Sequence, residues 1–260
     1  MKAIATSDLH GELPAITEEF DLLLIAGDIC PVTDHRRERQ FEWLCTEFVD
    51  WVNGLPFKNV FSRVVFCAGN HDFILESISK KKLNEIISKV NNGRLVYLDN
   101  EEYDFEVLED DGTLNTYKIF GCPYCKVFGR WAFMRENLDK YYGAIPSGLD
   151  ILITHDAPGV DGYGMITQGR YKGTDAGNKS LAQYIHDVKP ICAFHGHIHS
   201  SPHEIRLIHG TFYGNVSLMD ENYEPVFKPL FFSLTKRWDS ENQRMVTGFS
   251  ILNGYEKTSE

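Results

Sequence analysis

Residues 62–72 read SRVVFCAGNHD, an apolar run from Val64 to Ala68 that stops at Gly69-Asn70-His71-Asp72. The run is too short for a buried helix and shows no polar alternation, so it predicts a strand covered on both faces. Its polar end carries side chains of the kinds that ligate metals or move protons.

Working outward, the same arrangement recurs in KAIAT (2–6) before Ser7-Asp8, DLLLIA (21–26) before Gly27-Asp28, DILIT (150–154) before His155, and ICAF (191–194) before His195. Between these runs lie helical patterns. Phe41, Leu44, Cys45, Phe48, Trp51 and Val52 share one face, and Ile74, Ile78, Leu83, Ile86, Ile87 and Val90 share another. Gly54 and Gly93 are predicted to end them. From Tyr97 to Phe120, two β-rich runs flank Asp111-Gly112 and predict a hairpin. From Glu204 to Phe232, IRLIHG, TFYGNVS and PLFFSL predict short strands around Gly210 and Asn222. No repeat, low-complexity linker or composition shift divides the chain, so residues 1–260 read as one α/β domain of two β-sheets with outer helices.

Composition narrows the function. With 260 residues, 43% of them hydrophobic, the chain has the apolar content of an ordinary globule. A formal charge of −11 argues against extended nucleic-acid binding, which rests on many Lys and Arg contacts. MKAIATSDLHGELP lacks a basic segment followed by an apolar stretch, and no run approaches the roughly 18 apolar residues of a membrane span. The expectation is a soluble, unexported protein with no membrane partner. The six cysteines, including Cys30, Cys67 and Cys192 in apolar segments, read as reduced core residues, which places the chain in the cytoplasm.

Deprotonated carboxylates, neutral imidazoles and amide oxygens are the ligands of hard or borderline divalent metals. Here they follow strand after strand: Asp8-Leu9-His10, Asp28, Asn70-His71-Asp72, His155 and His197-Ile198-His199. Such groups converge along one sheet edge, where α/β proteins bind ligands. In extended geometry, Asp8 and His10 would point to one side, as would His197 and His199. One cluster alone is ordinary, because a lone histidine after a strand is more often structural.

Taken in order, the five clusters resemble the calcineurin-like metallophosphoesterase family, whose pattern runs DxH, GD, GNH[ED], a lone H, then GHxH. That resemblance implies a four-layer αββα sandwich and a site with two divalent ions, with manganese, iron, zinc and nickel all admissible. One ion would be held by Asp8, His10, Asp28 and His199, the other by Asp28, Asn70, His155 and His197. A bridging hydroxide would attack the phosphorus, and His71 would protonate the leaving oxygen or stabilise charge there. FEWLCTEFVDWVNGLP, AGNHD, IFGCP and IPSGLDILITHDAP resemble segments of the small phosphodiesterases in the metallophosphoesterase-domain-containing branch. The implied partner is a small, nucleotide-like phosphoester, a diester before a monoester.

Two features depart from the pattern. Pro31 stands where many relatives carry a second acid that helps orient the catalytic histidine, and the Arg-Gly that often follows is absent. Protein serine/threonine phosphatase and dinucleoside-polyphosphate hydrolase activities are therefore disfavoured. His35, Arg36, Arg37, Arg130 and Arg135 are candidate replacements, although solvated helix surface is the plainer reading. The Gly-rich stretch from Asp156 to Asn178 is long for a connection and is expected to wall or cover the site. Two rival readings are a thiol redox protein using Cys122-Pro123-Tyr124-Cys125, and a binding scaffold on the same fold. The full ligand set disfavours the scaffold.

Overall fold

The computed structural model describes residues 1–241 and 243–253. The early apolar runs form β1 (Lys2–Thr6), β2 (Leu22–Ala26) and β3 (Arg63–Cys67), with β4 (Leu95–Tyr97) beside them, all parallel. The absence of alternation has a direct cause. Val64 and Phe66 pack against the helical residues Phe48, Val52 and Ile86, whereas Val65 and Cys67 face a second sheet.

That second sheet is built from the hairpin β5 (Glu101–Leu108) and β6 (Leu114–Cys122), followed by β9 (Ile151–Thr154), β10 (Cys192–His195), β11 (Arg206–Ile208) and β12 (Thr211–Asn215). Its order is β11-β12-β10-β9-β6-β5. A small parallel pair, β7 (Cys125–Lys126) and β8 (Met134–Arg135), stands apart. The chain then returns through β13 (Leu230–Asp239) and β14 (Arg244–Ile251) to complete the first sheet as β14-β13-β1-β2-β3-β4.

Ala3, Ala5, Leu24 and Val65 meet Phe105, Ile119, Ile153 and Phe194 between the sheets. On the far side, Tyr142, Leu181 and Ile185 cover Phe120, Leu152 and Tyr213. The architecture is therefore the αββα sandwich that the resemblance implies. Each fully buried Leu or Phe in these layers contributes about 1.5–3 kcal/mol. Among the described residues, no helix is long and apolar enough to cross a membrane.

The structure refines several boundaries. The first helical pattern runs on through Arg37–Trp43, a π turn at Leu44–Phe48 and Val49–Gly54, ending at the expected glycine. The second splits into Phe73–Glu76 and Lys80–Lys89, because Ser79 Oγ accepts from the Lys82 amide at 3.3 Å and starts a new helix. Gly93 closes the 3₁₀ turn Asn91–Gly93. Tyr97 belongs to β4 in the first sheet, so the hairpin begins at Glu101. The pairing of β13 with β14 was hidden because Lys236, Arg237 and Asp239 interrupt the apolar residues of one strand, and Arg244, Thr247 and Ser250 those of the other, at this exposed sheet edge.

Candidate metal centre

Parallel pairing of β1, β2 and β3, and of β9 and β10, brings the carboxyl ends of all five strands to one edge. Beyond them the backbone does not stay extended. Asp8 (φ 52°), His10 (φ 47°), Asp28 (φ 51°) and His197 (φ 70°) are left-handed, so the expected extended Asp-x-His and His-x-His geometries are replaced by tight turns. Such conformations cost on the order of 1–3 kcal/mol each and persist where surrounding bonds fix them. Here Asp8 N donates to Gly27 O at 3.0 Å and His10 N to Asp28 O at 2.9 Å. His197 N donates to both Asp8 carboxylate oxygens, at 3.1 and 3.2 Å.

The turns bring the predicted side chains together. His199 Nε2 lies 3.2 Å from Asp8 Oδ1 and 3.3 Å from His10 Nε2. Asp28 Oδ2 lies 3.4 Å from His155 Nε2 and 3.8 Å from His10 Nε2, and Asn70 Oδ1 lies 2.8 Å from His155 Nε2. The His197 ring stands 4.9 Å from that of His155. Asp8, His10 and His199 form one group able to hold a cation, and Asp8, Asp28 and His155 another.

Tautomers test whether a cation fits. His199 Nδ1 faces the Asp220 carbonyl at 2.8 Å, and His155 Nδ1 faces the Ala26 carbonyl at 3.2 Å. A carbonyl oxygen only accepts, so each Nδ1 carries the hydrogen and each neutral ring turns an Nε2 lone pair inward. Those lone pairs meet the oxygens of Asp8, Asp28 and Asn70 and, from His199, the Nε2 of His10. An array of converging acceptors is held together by a cation or by an added proton, and backbone carbonyls orienting ligand imidazoles are a recurrent feature of metal sites.

The proton alternative is visible in the electrostatics. Burial pulls His155 down, but Asp28 and Asp8 outweigh it and hold the ring at about 9. His199 is also raised, Asp8 overcoming the effect of burial. Burial pushes Asp8 and Asp28 up, yet the facing histidines bring both well below the usual carboxylate range. His10 and His197 are lowered to about 3 by burial and are neutral, as ligands must be. Metal and proton therefore compete at His155. Because its pKa lies above the ordinary 6.5, metal affinity should rise with pH up to about 9, by about tenfold per unit for each proton displaced. Folding of the metal-free protein has the opposite sign: stability from protonated His155 is full below 6.5 and lost as pH rises through about 9. Metal titrations and thermal melts of chelated protein across that range check both; a flat affinity profile would contradict the competition.

His71 stands beside the ligands. Its amide donates to Asp28 Oδ1 at 2.7 Å, its ring lies 5.0 Å from that of His10, and burial lowers its pKa. Asp72, buried next to it, accepts from the amides of Ile29, Cys30 and Gly69 and so ties the second cluster to the third. Burial and then the charge of Asp28 push Asp72 up to about 6.

The cavity over the cluster, about 260 Å³, is lined by Asp28, Asn70, His71, His197 and His199 together with Phe128, Trp131, Tyr171, Tyr223 and Glu221. The aromatic rim went unread in the sequence, since isolated loop aromatics carry no periodic signal. An adjoining cavity of about 400 Å³ is lined in part by Ile166, Thr174 and Ala176, so the 156–178 stretch does wall this region. Of the candidate basic replacements, Arg36 pairs with Asp34 and Arg135 with Glu76. Only His35 reaches the cluster, through His71. The Cys122 thiol is buried and pushed up to about 12, and burial holds Cys125 well above its usual range, so neither has the thiolate character of a redox centre.

The chain is 25% identical to the human metallophosphoesterase domain-containing protein 1 over 255 residues, covering 89% of this chain and 70% of the relative, and equally similar to the mouse protein. Among solved structures, the phosphopantetheinyl hydrolase of Mycobacterium tuberculosis superposes with a TM-score of 0.49 at 14% identity, covering 83% of this chain and 88% of that one. The family model for calcineurin-like phosphoesterases matches residues 1–201, a span containing every cluster described above. The chain belongs to the calcineurin-like phosphoesterase family, a family of metal-dependent hydrolases of phosphoric esters.

Proposed function

We propose that this protein hydrolyses small phosphodiesters, and phosphomonoesters less well, at a site that holds two divalent ions. The observation that carries the reading is the convergence of carboxylate, amide and imidazole groups from five strand ends, with the Nδ1 atoms of His155 and His199 turned away to backbone carbonyls. Asp8, His10, Asp28 and His199 would hold one ion, and Asp28, Asn70, His155 and His197 the other, with Asp28 shared. Paired ions supply an activated hydroxide and charge stabilisation for the phosphoryl group. The protein fixes the ligands by left-handed turns and backbone carbonyls, and it presents His71 beside them to stabilise charge on the leaving oxygen. Two carboxylates against two divalent ions leave the site cationic, which favours a phosphate.

The cavity walls support a substrate with a planar organic group. Phe128, Tyr171 and Tyr223 are 60%, 63% and 44% exposed around the cluster and offer ring surface on which a nucleobase-like ring could stack. No Lys or Arg lines that cavity among the described residues, and the adjoining one adds a single cation, Lys126, at its edge. A small, nucleotide-like diester suits these walls better than a polyphosphate.

The test is turnover of bis-p-nitrophenyl phosphate, against p-nitrophenyl phosphate, by chelated protein supplied with manganese, nickel, zinc or magnesium. The diester should be cleaved faster once metal is restored. Zero turnover with every metal would leave a binding scaffold as the better account.

A further inference from the structure

Pro31 removes the acid expected to orient His71, yet the His71 ring is held. His35 Nε2 lies 3.0 Å from His71 Nδ1. Trp131 covers both rings, with centroids 4.5 Å from His71 and 5.5 Å from His35, and Phe73 stands 5.3 Å from His35 beside it. The segment carrying His35 is itself clamped to the His71 loop. Buried Gln40 donates to the His71 carbonyl at 2.7 Å and accepts from the Ile74 amide at 3.0 Å. Arg37 Nε donates to the Phe73 carbonyl at 3.2 Å. The contact therefore joins two anchored segments.

We propose that His35 is a positioning residue for His71: its Nε2–H donates to His71 Nδ1 and fixes the tautomer that carries its hydrogen on Nε2. A neutral imidazole has one N–H, and the partner of one nitrogen decides where that hydrogen sits. With Nδ1 occupied as an acceptor, Nε2–H is left for the cavity that His71 lines with Asp28 and Asn70. There it donates a hydrogen bond to the charge growing on the leaving oxygen as the attacking hydroxide forms one P–O bond and the other breaks; the departing alkoxide then takes its proton from solvent, and both histidines keep theirs. The opposite tautomer would turn a lone pair toward that oxygen and repel it. A half-buried histidine thus stands in for an acid four residues earlier in the chain, with its hydrogen-bond role inverted from acceptor to donor.

This rests on the role of His71 proposed above, so two independent readouts are needed. The first is a direct spectroscopic one. In the zinc-loaded protein, long-range proton–nitrogen correlation of the imidazoles should show His71 protonated on Nε2; His35→Ala should lose that preference and His35→Gln, which keeps a donor, should retain it. An unchanged His71 tautomer in His35→Ala would overturn the proposal whether or not the protein turns over a substrate.

The second readout is kinetic. On a diester with an alkyl leaving group, His35→Ala should lose about tenfold or more in kcat, against a smaller loss with p-nitrophenol, which needs little help to depart. His35→Gln should recover most of the loss, and His35→Ala combined with His71→Ala should be no slower than His71→Ala alone. A loss independent of the leaving group, or one that adds in full to His71→Ala, would make His35 merely structural. Failure of the wild-type protein to cleave either diester with any metal would instead reject the phosphoesterase reading, leaving the tautomer measurement to judge His35.

Discussion

Asp28→Asn is expected to strip most of the bound metal and lower kcat/KM by about 10³-fold, equivalent to about 4 kcal/mol of transition-state stabilisation. The expectation follows from how many groups meet one carboxylate. Oδ2 lies 3.4 Å from His155 Nε2 and 3.8 Å from His10 Nε2, which the proposed assignment gives to different ions, while Oδ1 accepts from the His71 amide at 2.7 Å. Asparagine preserves the shape and can still accept from His71 N, so the fold should survive. It removes the negative charge, and it offers either an amide N–H or a weaker oxygen where a shared ligand is required. Metal analysis alongside circular dichroism separates the two effects. A folded Asp28→Asn protein with unchanged metal content would show that Asp28 is not shared between two ions.

The same variant probes the proton that competes with metal. Asp28 is the largest influence holding His155 up against burial, ahead of Asp8. Without that charge, the ring should fall back toward neutrality, and the pH dependence of residual metal binding should flatten between 6.5 and 9. Loss of affinity and loss of its pH slope would then share one cause.

What was legible in the sequence was the part set by burial on both faces of parallel strands. Runs such as Val64–Ala68 have no alternation because helices cover one side and a second sheet the other, and their polar ends had to gather at one edge. The local geometry was not legible. Nothing in Asp8-Leu9-His10 signals that both ligands adopt left-handed backbone, since that conformation is imposed by bonds to Gly27 and Asp28, distant in sequence. The aromatic rim was equally hidden, because Phe128 and Trp131 share one loop while Tyr171 and Tyr223 come from two others, and they meet only in three dimensions. His35 was visible as one of several basic residues after Pro31. Its contact with His71 depends on the Gln40 clamp, which no spacing rule announces.

Glycine spacing supplies a second strong test, at a position where the backbone itself is unstrained. Gly69 does not adopt positive φ, so alanine there meets no conformational penalty, in contrast to Gly27 at φ 97°. Its missing side chain matters because of what approaches. A Cβ at Gly69 would overlap the carboxylate and backbone nitrogen of Asp28 and come within 2.7 Å of His155 Cε1. Backbone on one side and a ligand pair on the other leave no flexible group to yield, so Gly69→Ala must move Asp28 or His155. Overpacking of this kind costs about 1–3 kcal/mol of stability, while a misplacement near 1 Å at reacting groups costs about 10²-fold in rate. The expected result is a folded protein with a modestly lowered Tm, reduced metal content and a kcat/KM down by about 10²-fold or more. Gly54→Ala provides the comparison, since no atom lies within 4 Å of its added Cβ and a helix-end alanine should hold or raise stability by up to about 1 kcal/mol. If Gly69→Ala matched Gly54→Ala in metal content and turnover, close contact between the GD and GN turns would not be what shapes the site, and the convergence of Asp28 with His155 would lose its structural explanation.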